Sequence, residues 1–448
     1  MTVTQWTADR LAAASGGLVV RSAEGQPAGF SIDSREVARG DLFIGIPGQR
    51  VDGGALAVDA LRKGAWGALV QPLHAETAAS EGGAVVVHPD PVRALGLIAA
   101  EHRRSLTCQV VGITGSSGKT STKDILSAIL SQAGETVCTR GNRNTEIGMP
   151  LEILRAGQET EFLVLEMAMR GRGQIAELVE IAKPDLGVIV SIGPAHLDLL
   201  GSIEEIAAAK SELIAGLSPG STAIVPAGEQ LLTPHLRADL RTVTFGPEGD
   251  VSMVSESGRD LEIDLRGERL KLGVDFDQPH NRLNLLAALA AADAVGVRPA
   301  RDLHVAFSAL RGDRIELPDG IVLIDDCYNS NPSSLAAGLA DLAAESSRRG
   351  GRSVAVLGDM LELGPAELQF HRDAGRLAAE VGVGLLVTVG PLSASMAEGY
   401  RGRSESFEDA SAAAAALAGL LEPGDTVLVK GSRGVGLEAV ARQLRSEG

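Results

Sequence analysis

The sequence predicts an α/β protein of three domains, and three observations support this fold class. Short apolar runs alternate with helical patterns along most of the 448 residues, which is typical of parallel, doubly wound sheets. A β-branched run at 107–114 opens into a glycine-rich loop and a long helix, the arrangement of a phosphate-binding loop. At about 100–200 residues per domain, the length fits two to four domains. We predict domains at residues 1–104, 105–312 and 313–448.

The first domain is predicted to be a small α/β unit. Residues 41–48 (DLFIGIPG) form a short apolar run that ends in a glycine turn, and residues 55–70 have the pattern of a helix that leads into a strand. Residues 92–104 have helical periodicity.

The second domain begins with the strand at 107–114 and is predicted to be a doubly wound sheet. A β-rich stretch at 242–274 interrupts its alternation, and a helix at 280–295 resumes it. Between the first strand and the β-rich stretch we predict strands at 161–165 and 186–192, and helices at 120–132, 173–181 and 203–217.

The third domain is predicted to be Rossmann-like and to follow a linker at 310–320, which contains two Gly/Asp pairs and a proline. Alanine-rich helical segments such as 409–421 separate its strands. We predict these strands at 321–324, 353–357, 385–389 and 426–430.

The composition argues against several classes of function. Aromatic residues make up only 3% of the chain and the formal net charge is −17, so nucleic acid is an unfavourable partner and any phosphate must be bound at a local basic site. No signal peptide or apolar run of membrane-spanning length is visible. Three scattered cysteines show neither a disulfide framework nor zinc spacing. We expect a cytoplasmic protein without membrane insertion.

The strongest motif is GSSGKT at 115–120. Its glycines let backbone N–H groups surround a polyphosphate, its lysine supplies charge, its threonine can bind Mg²⁺, and the following helix adds its N-terminal dipole. Ile113 replaces the first glycine of the longer consensus. We predict ATP or GTP binding by Gly115, Ser116, Ser117, Gly118, Lys119, Thr120 and Ser121.

Two residues at predicted strand ends are candidate magnesium ligands beside Thr120. Glu166 ends the run EFLVLE, where an unpaired carboxylate would be costly without a cation or hydrogen bonds. His196 follows the next strand, also at a carboxyl end, where ligands collect in open α/β sheets. A surface glutamate and a structural histidine are the alternatives.

Three further side chains are singled out by their position on helices. Lys210 lies on an alanine-rich helical face, where a lysine usually snorkels to the surface. Asn281 and Asn284 share one face at the start of the helix at 280–295, where they suit an adenine edge or a helix cap.

Polar residues also crowd the carboxyl ends of the third domain's strands. Residues 325–332 (DDCYNSNP) follow its first strand, and residues 430–433 (KGSR) follow its last, while GDMLELG at 358–364 is a weaker signal. In the linker, Arg311 and Arg314 could clamp phosphate or be solvated.

Taken together, these runs resemble the Mur ligases of peptidoglycan synthesis, most closely the member that adds D-alanyl-D-alanine to UDP-N-acetylmuramoyl-tripeptide. The order and spacing of the motifs carry the resemblance over nearly the whole chain. One departure lies at residues 52–56 (DGGAL), where the family often has D-G-H-x-[FY]. The motifs are DSREVARGDLFIGIPG from Asp33, GSSGKTSTKD from Gly115, GNRNTEIGMP from Gly141, IGPAHLDLLGS from Ile192, HNRLN from His280, DDCYNSNP from Asp325, GDMLELG from Gly358 and KGSR from Lys430.

The resemblance implies ATP and Mg²⁺ as cofactors, an acyl-phosphate intermediate, and a first domain that binds the UDP-sugar. It implies catalytic roles for Lys119, His196 and Lys210, with Lys210 carbamylated as a ligand of a second magnesium beside Thr120, Glu166 and His196. It assigns ATP contacts to Asn281, Asn284, Arg314 and Asp326. It assigns substrate contacts to Ser31, Asp33, Ser34, Arg35, Asn142, Asn144, Thr145, Tyr328, Asn329, Asn331, Lys430, Ser432 and Arg433.

Two other functions stay open at this point. Another amide ligase of the superfamily, such as one like folylpolyglutamate synthase, shares the ATP-binding domain but has no nucleotide-sugar domain of this type ahead of the loop. A non-catalytic ATP switch would not need Lys119, Glu166, His196 and Lys210 together. We expect a monomer whose second and third domains close over ATP. The sequence does not discriminate diaminopimelate from lysine in the stem peptide.

Overall fold

The computed structural model describes residues 5–446, which contain three β-sheets in succession along the chain. The first sheet has the order β1-β5-β4-β3-β2; β2 to β5 are parallel and β1 runs antiparallel at the edge. Its strands are β1 Leu18–Arg21, β2 Phe30–Ser31, β3 Leu42–Ile44, β4 Gly67–Val70 and β5 Ala84–Val87. Its helices are α1 Ala8–Ser15, α2 Ala57–Arg62, α3 Ala75–Glu81 and α4 Pro91–Ser105.

Helix α4 connects the first two units through apolar packing. Leu95 and Ile98 lie in the core of the first unit, whereas Ala99 belongs to a core shared with the second. Asp90 caps the helix by accepting a hydrogen bond from the Arg93 N–H at 3.0 Å.

The second sheet has ten strands in the order β15-β14-β13-β12-β11-β10-β9-β6-β8-β7. The strands are β6 Gln109–Thr114, β7 Thr136–Cys138, β8 Phe162–Glu166, β9 Leu186–Ile189, β10 Thr222–Pro226, β11 Arg241–Phe245, β12 Val251–Ser257, β13 Asp260–Leu265, β14 Glu268–Val274 and β15 Asp302–Leu303. The helices are α5 Lys119–Leu130, α6 Gly148–Ile153, α7 Gln174–Ala182, α8 Leu197–Leu200, α9 Ile203–Lys210, α10 Glu212–Ala215 and α11 Pro279–Ala294.

Two predictions about this unit need correction. The β-rich stretch does not interrupt the sheet but extends it, because β12, β13 and β14 pair antiparallel beyond the parallel strands. The helix predicted at 203–217 is two helices that meet at Ser211. The Ser211 hydroxyl donates to the carbonyl of Ala207 at 2.7 Å, a local bond that competes with regular helical pairing and often bends helices.

The third sheet has the order β16-β17-β21-β18-β19-β20 and is parallel except for β16. The strands are β16 Asp313–Glu316, β17 Val322–Asp325, β18 Ser353–Gly358, β19 Leu385–Val389, β20 Arg403–Phe407 and β21 Thr426–Lys430. The helices are α12 Pro332–Arg349, α13 Glu367–Glu380, α14 Met396–Gly399, α15 Ala410–Leu417 and α16 Glu438–Ser446. The predicted linker at 310–320 therefore contains an antiparallel edge strand, whose Ile315 packs on the core.

The three sheets confirm the predicted α/β class. The boundaries after residues 104 and 312 stay a prediction. Within residues 5–446, no helix has both the length and the apolar character that crossing a membrane requires.

Candidate active site

The phosphate-binding loop connects β6 to α5, as predicted. Gly118 has φ +82°, and a Cβ there would lie 2.3 Å from the Asn284 Oδ1 atom, so both conformation and space require glycine. The Ser116 hydroxyl donates to the Gly193 carbonyl at 2.8 Å, and the Ser117 N–H donates to the Ser191 hydroxyl at 2.9 Å. These bonds fix the loop against the segment after β9, while Ser121 lies in the first turn of α5.

Lys119 is the first residue of α5, and its ammonium donates to the Gly115 carbonyl at 2.8 Å across the loop. Burial lowers the pKa of Lys119, the Glu166 carboxylate opposes this shift, and the Arg311 guanidinium adds to it. An anion in the loop would therefore meet a poorly solvated cation and a helix N-terminus together.

Glu166 ends β8 and is buried beside the loop. Its two carboxylate oxygens accept hydrogen bonds from the Thr120 hydroxyl at 2.9 Å and the Asn144 amide at 2.8 Å. The structure thus brings together Thr120, Glu166 and Asn144, whereas Asn142 and Thr145 lie exposed on the same loop as Asn144. The surface-glutamate alternative is wrong.

His196 precedes α8 in the left-handed conformation, with φ +60°. Its Nδ1 lies 2.5 Å from Oε2 of Glu362, and the Asp198 N–H donates to the Glu362 carbonyl at 3.2 Å. Burial lowers the pKa of His196, the Glu362 carboxylate opposes the shift, and Lys210 and Lys119 add to it. The histidine therefore lies between the second unit and the loop after β18.

Lys210 is buried at the end of α9, so the snorkelling interpretation is wrong. Burial, with the nearby Lys119 as a second cause, holds the pKa of Lys210 well below its usual 10.5. Its ammonium makes no ion pair with any residue in the range 5–446. A lowered pKa favours the neutral, nucleophilic amine.

Asn281 and Asn284 lie buried on the first turns of α11, and Asn284 lies beside Gly118 of the loop. The Asn284 amide donates to the Asn281 Oδ1 atom at 3.0 Å. Neither residue caps α11, because the cap is Gln278 and has no side-chain cap bond.

The third sheet presents its carboxyl end to the loop. Asn331 caps α12 and also donates to the Ser117 hydroxyl at 3.1 Å. The Lys430 ammonium donates to Asp326 Oδ2 at 2.6 Å and to the Asn329 carbonyl at 3.1 Å. Asn331 thus joins the third sheet to the nucleotide loop.

Tyr328, Ser432 and Arg433 were predicted to contact substrate; they lie near this junction and contact other groups of the protein. The Ser432 hydroxyl accepts from the Leu361 N–H at 2.9 Å and donates to the Ser330 carbonyl at 3.3 Å. The Arg433 guanidinium lies 5.5 Å from the centre of the Tyr328 ring. The roles of Tyr328, Ser432 and Arg433 stay predictions.

The two linker arginines have different surroundings. Arg314 pairs with Asp341 at 2.8 Å and with Glu345 at 3.3 Å, both on α12. Arg311 instead donates to the Thr120 hydroxyl at 3.2 Å and stacks 3.9 Å above the Tyr328 ring centre. The predicted γ-phosphate contact of Arg314 stays a prediction, since carboxylates hold its guanidinium in this structure.

Sequence reasoning left Arg311 with two interpretations, a phosphate clamp or a solvated side chain, and it missed Glu362 as a site residue. Both stand in segments that drew attention, the linker and the GDMLELG run, but their partners Thr120 and His196 are 191 and 166 residues away in the chain. A spacing pattern contains no signal for such contacts.

In the first unit, the predicted UDP contacts form a compact turn after β2. Arg35 makes a double hydrogen bond to Asp33, which lowers the pKa of the Asp33 carboxyl to about 2. The Ser31 hydroxyl donates to the Asp33 carbonyl at 3.2 Å, and the Ser34 carbonyl accepts from Lys63 at 2.6 Å. The turn leaves the outer face of Arg35 exposed.

Three family models match successive parts of the chain. They are described as the Mur ligase family catalytic domain at residues 28–103, the Mur ligase middle domain at 113–292, and the Mur ligase glutamate ligase domain at 310–433. A curated UDP-N-acetylmuramoyl-tripeptide–D-alanyl-D-alanine ligase of Synechocystis is 38% identical over 93% of this chain and 91% of its own length. This chain belongs to the Mur ligase family.

Solved structures agree with this membership. A MurF crystal structure from Acinetobacter baumannii superposes with a TM-score of 0.88 at 29% identity, covering 100% of both chains. A Thermotoga maritima MurF ligase, solved in complex with ADP, gives 0.81 at 29% identity and covers 94% of this chain and 97% of its own. The three units of this Mur ligase therefore have the architecture of MurF.

Proposed function

We propose that this Mur ligase joins D-alanyl-D-alanine to UDP-N-acetylmuramoyl-tripeptide, with hydrolysis of ATP to ADP and phosphate. The observation that supports an ATP-driven ligase best is the convergence of Lys119, Thr120 and Glu166 with Arg311 and Asn331 at the junction of the second and third sheets. The name of the Synechocystis relative supports the choice of substrates.

In the proposed reaction, a terminal carboxylate oxygen of the tripeptide attacks the γ-phosphorus of ATP, and ADP leaves. The amine of D-alanyl-D-alanine then attacks the resulting acyl phosphate, an amide bond forms, phosphate leaves and the amine loses a proton. Lys119 and the N-terminus of α5 stabilise the charge on the phosphates, which is the main task in phosphoryl transfer. Arg311 supplies a second cation at the same place.

Thr120 and Glu166 suit a magnesium ion that binds together with a nucleotide. No cluster of three or more histidine, cysteine, aspartate or glutamate side chains that could hold a metal occurs in the described part of the chain. Magnesium usually takes one or two carboxylates and completes its shell with phosphate oxygens and water. Thr120 and Glu166 would hold it, and a bound ion would neutralise charge on the transferring phosphoryl group.

His196 and Lys210 are proposed to assist this pair. Burial is the main cause that lowers the pKa of both residues, and the charge of Lys119 contributes to both shifts. Carbamylation would replace a desolvated cation at Lys210 by an anion, as the resemblance implies. Asn284, which lies next to Gly118, and Asn281 are proposed to contact the adenine, and Asp326 the ribose.

We further propose that the enzyme acts as a monomer in the cytoplasm. Cys108, Cys138 and Cys327 are all free thiols, as is usual in a reducing compartment. The turn at Ser31–Arg35 is proposed to bind the UDP moiety.

The test is phosphate release from ATP and Mg²⁺ with UDP-N-acetylmuramoyl-tripeptide, with and without D-alanyl-D-alanine. We expect release to require both substrates and to disappear in Lys119→Ala, with Lys271→Ala, an exposed lysine on β14, as the matched control. Release that is independent of the dipeptide would contradict the proposal, and other amino acceptors would then be screened.

A further inference from the structure

Three loops of the first unit lie at the carboxyl edge of its parallel strands. Asp33 follows β2, Asp52 follows β3 and His74 follows β4, and these three strands are direct neighbours in the sheet. Ligands of open α/β sheets bind at this edge. If the first unit binds the UDP moiety, as proposed above, Asp52 and His74 lie on the same edge as the turn at Ser31–Arg35.

Asp52 holds the His74 ring in a defined orientation. Its Oδ1 accepts the Gly54 N–H at 2.9 Å, and its Oδ2 lies 2.8 Å from Nε2 of His74. The bond to His74 is the main cause that lowers the pKa of Asp52. Because a carboxylate accepts, Nε2 carries the proton, and in the neutral ring Nδ1 is a hydrogen-bond acceptor. Within residues 5–446 no hydrogen bond reaches this Nδ1.

Gly54 leaves the space that the His74 ring fills. A Cβ at residue 54 would lie 2.2 Å from Cδ2, 2.7 Å from Nε2 and 3.0 Å from Cγ of His74. Any side chain at position 54 would therefore clash with the His74 ring in its present position. Position 54 is one of the two positions where residues 52–56 (DGGAL) depart from the D-G-H-x-[FY] pattern, and the His74 ring, from the loop after β4, lies against it.

We propose that His74, oriented by Asp52 and accommodated by Gly54, is a binding residue for the uridine diphosphate part of the substrate. Its Nδ1 accepts a hydrogen bond from an N–H or O–H group of the uridine. The side chain is 15% exposed, so it combines a fixed position with access from the sheet edge. This inference rests on the proposed function, because it assumes that the first unit binds a UDP-sugar.

The experiment is isothermal titration of UDP into the full-length protein and its variants. We expect His74→Ala to weaken UDP binding about tenfold, equivalent to about 1.4 kcal/mol. Gly54→Ala should weaken it similarly, because the new methyl group displaces the ring. The double variant should bind no more weakly than His74→Ala, since both changes remove one contact. His304→Ala, at a ring that is 81% exposed, is the matched control.

Thermal unfolding of each variant separates binding from folding, and His74→Gln serves if the alanine variant does not fold. UDP affinity within twofold of wild type in both His74 variants would overturn the inference and leave the proposed ligase function standing. A Gly54→Ala protein that melts earlier but binds UDP normally would also overturn it. Absence of UDP binding by the wild-type protein would instead contradict the proposed function itself.

Discussion

Replacing Lys210 by methionine should stabilise this enzyme while it abolishes ligation. The Lys210 side chain is 3% exposed, makes no ion pair within residues 5–446, and has the Lys119 ammonium as a neighbour. Replacing buried ionic groups with apolar groups of similar volume often stabilises a protein by about 1–4 kcal/mol. At about 2–4 °C per kcal/mol, the melting temperature of Lys210→Met should rise measurably.

The pH dependence of this gain follows from the direction of the pKa shift. The folded protein releases the Lys210 proton at a lower pH than the unfolded chain, whose lysine titrates near 10.5. Between these two pKa values the unfolded chain binds more protons, so the stability of the wild-type protein rises with pH. The advantage of the methionine variant is therefore largest below the lowered pKa and disappears above about 10.5.

The assay is chemical or thermal unfolding in carbon-dioxide-free buffer, with Lys271→Met as the exposed control. Adding bicarbonate should stabilise the wild-type protein but not Lys210→Met, because only a lysine amine can form a carbamate. A methionine variant that is equally or less stable than wild type in carbon-dioxide-free buffer would refute the reasoning, since it would show that the buried amine has a stabilising partner.

Three further predictions concern the junction between the second and third sheets. Glu362→Ala removes the partner of His196 Nδ1 and should weaken Mn²⁺ binding by about 10-fold or more, as measured by electron paramagnetic resonance in the presence of an ATP analogue. Glu362→Gln, whose amide oxygen still accepts a hydrogen bond, should retain most of the Mn²⁺ affinity. Equal Mn²⁺ affinities of the two variants would contradict the positioning role of Glu362. Arg311→Ala should lower kcat/KM for ATP by about 10-fold or more, whereas Tyr328→Leu should lower it less; unchanged kinetics in the arginine variant would exclude a phosphate contact. Small-angle scattering should show compaction with an ATP analogue and the tripeptide substrate, and an unchanged radius of gyration would argue against closure.

The sequence predicted the elements that local patterns determine. Apolar, β-branched runs such as 109–114 and 426–430 are typical of parallel strands that helices cover on both faces. The glycine loop before Lys119 likewise has a defined geometry. It did not predict β16, because four largely polar residues on a sheet edge have the composition of a linker.

The candidate site was predicted where residues follow strands and missed where side chains meet across domains. Glu166 and Lys119 could be placed from the ends of β8 and β6 alone. The pairing of His196 with Glu362, and of Asp52 with His74, depends on how separate loops approach in space. No periodicity in the chain encodes those distances.

The central claim is that ATP activates a peptide carboxylate as an acyl phosphate at the junction of the second and third sheets. The most direct test uses UDP-N-acetylmuramoyl-tripeptide with ¹⁸O in its terminal carboxylate, and mass spectrometry of the products. The account predicts one ¹⁸O atom in the released phosphate and none in ADP, together with the pentapeptide product. Unlabelled phosphate, or ¹⁸O in AMP, would contradict it.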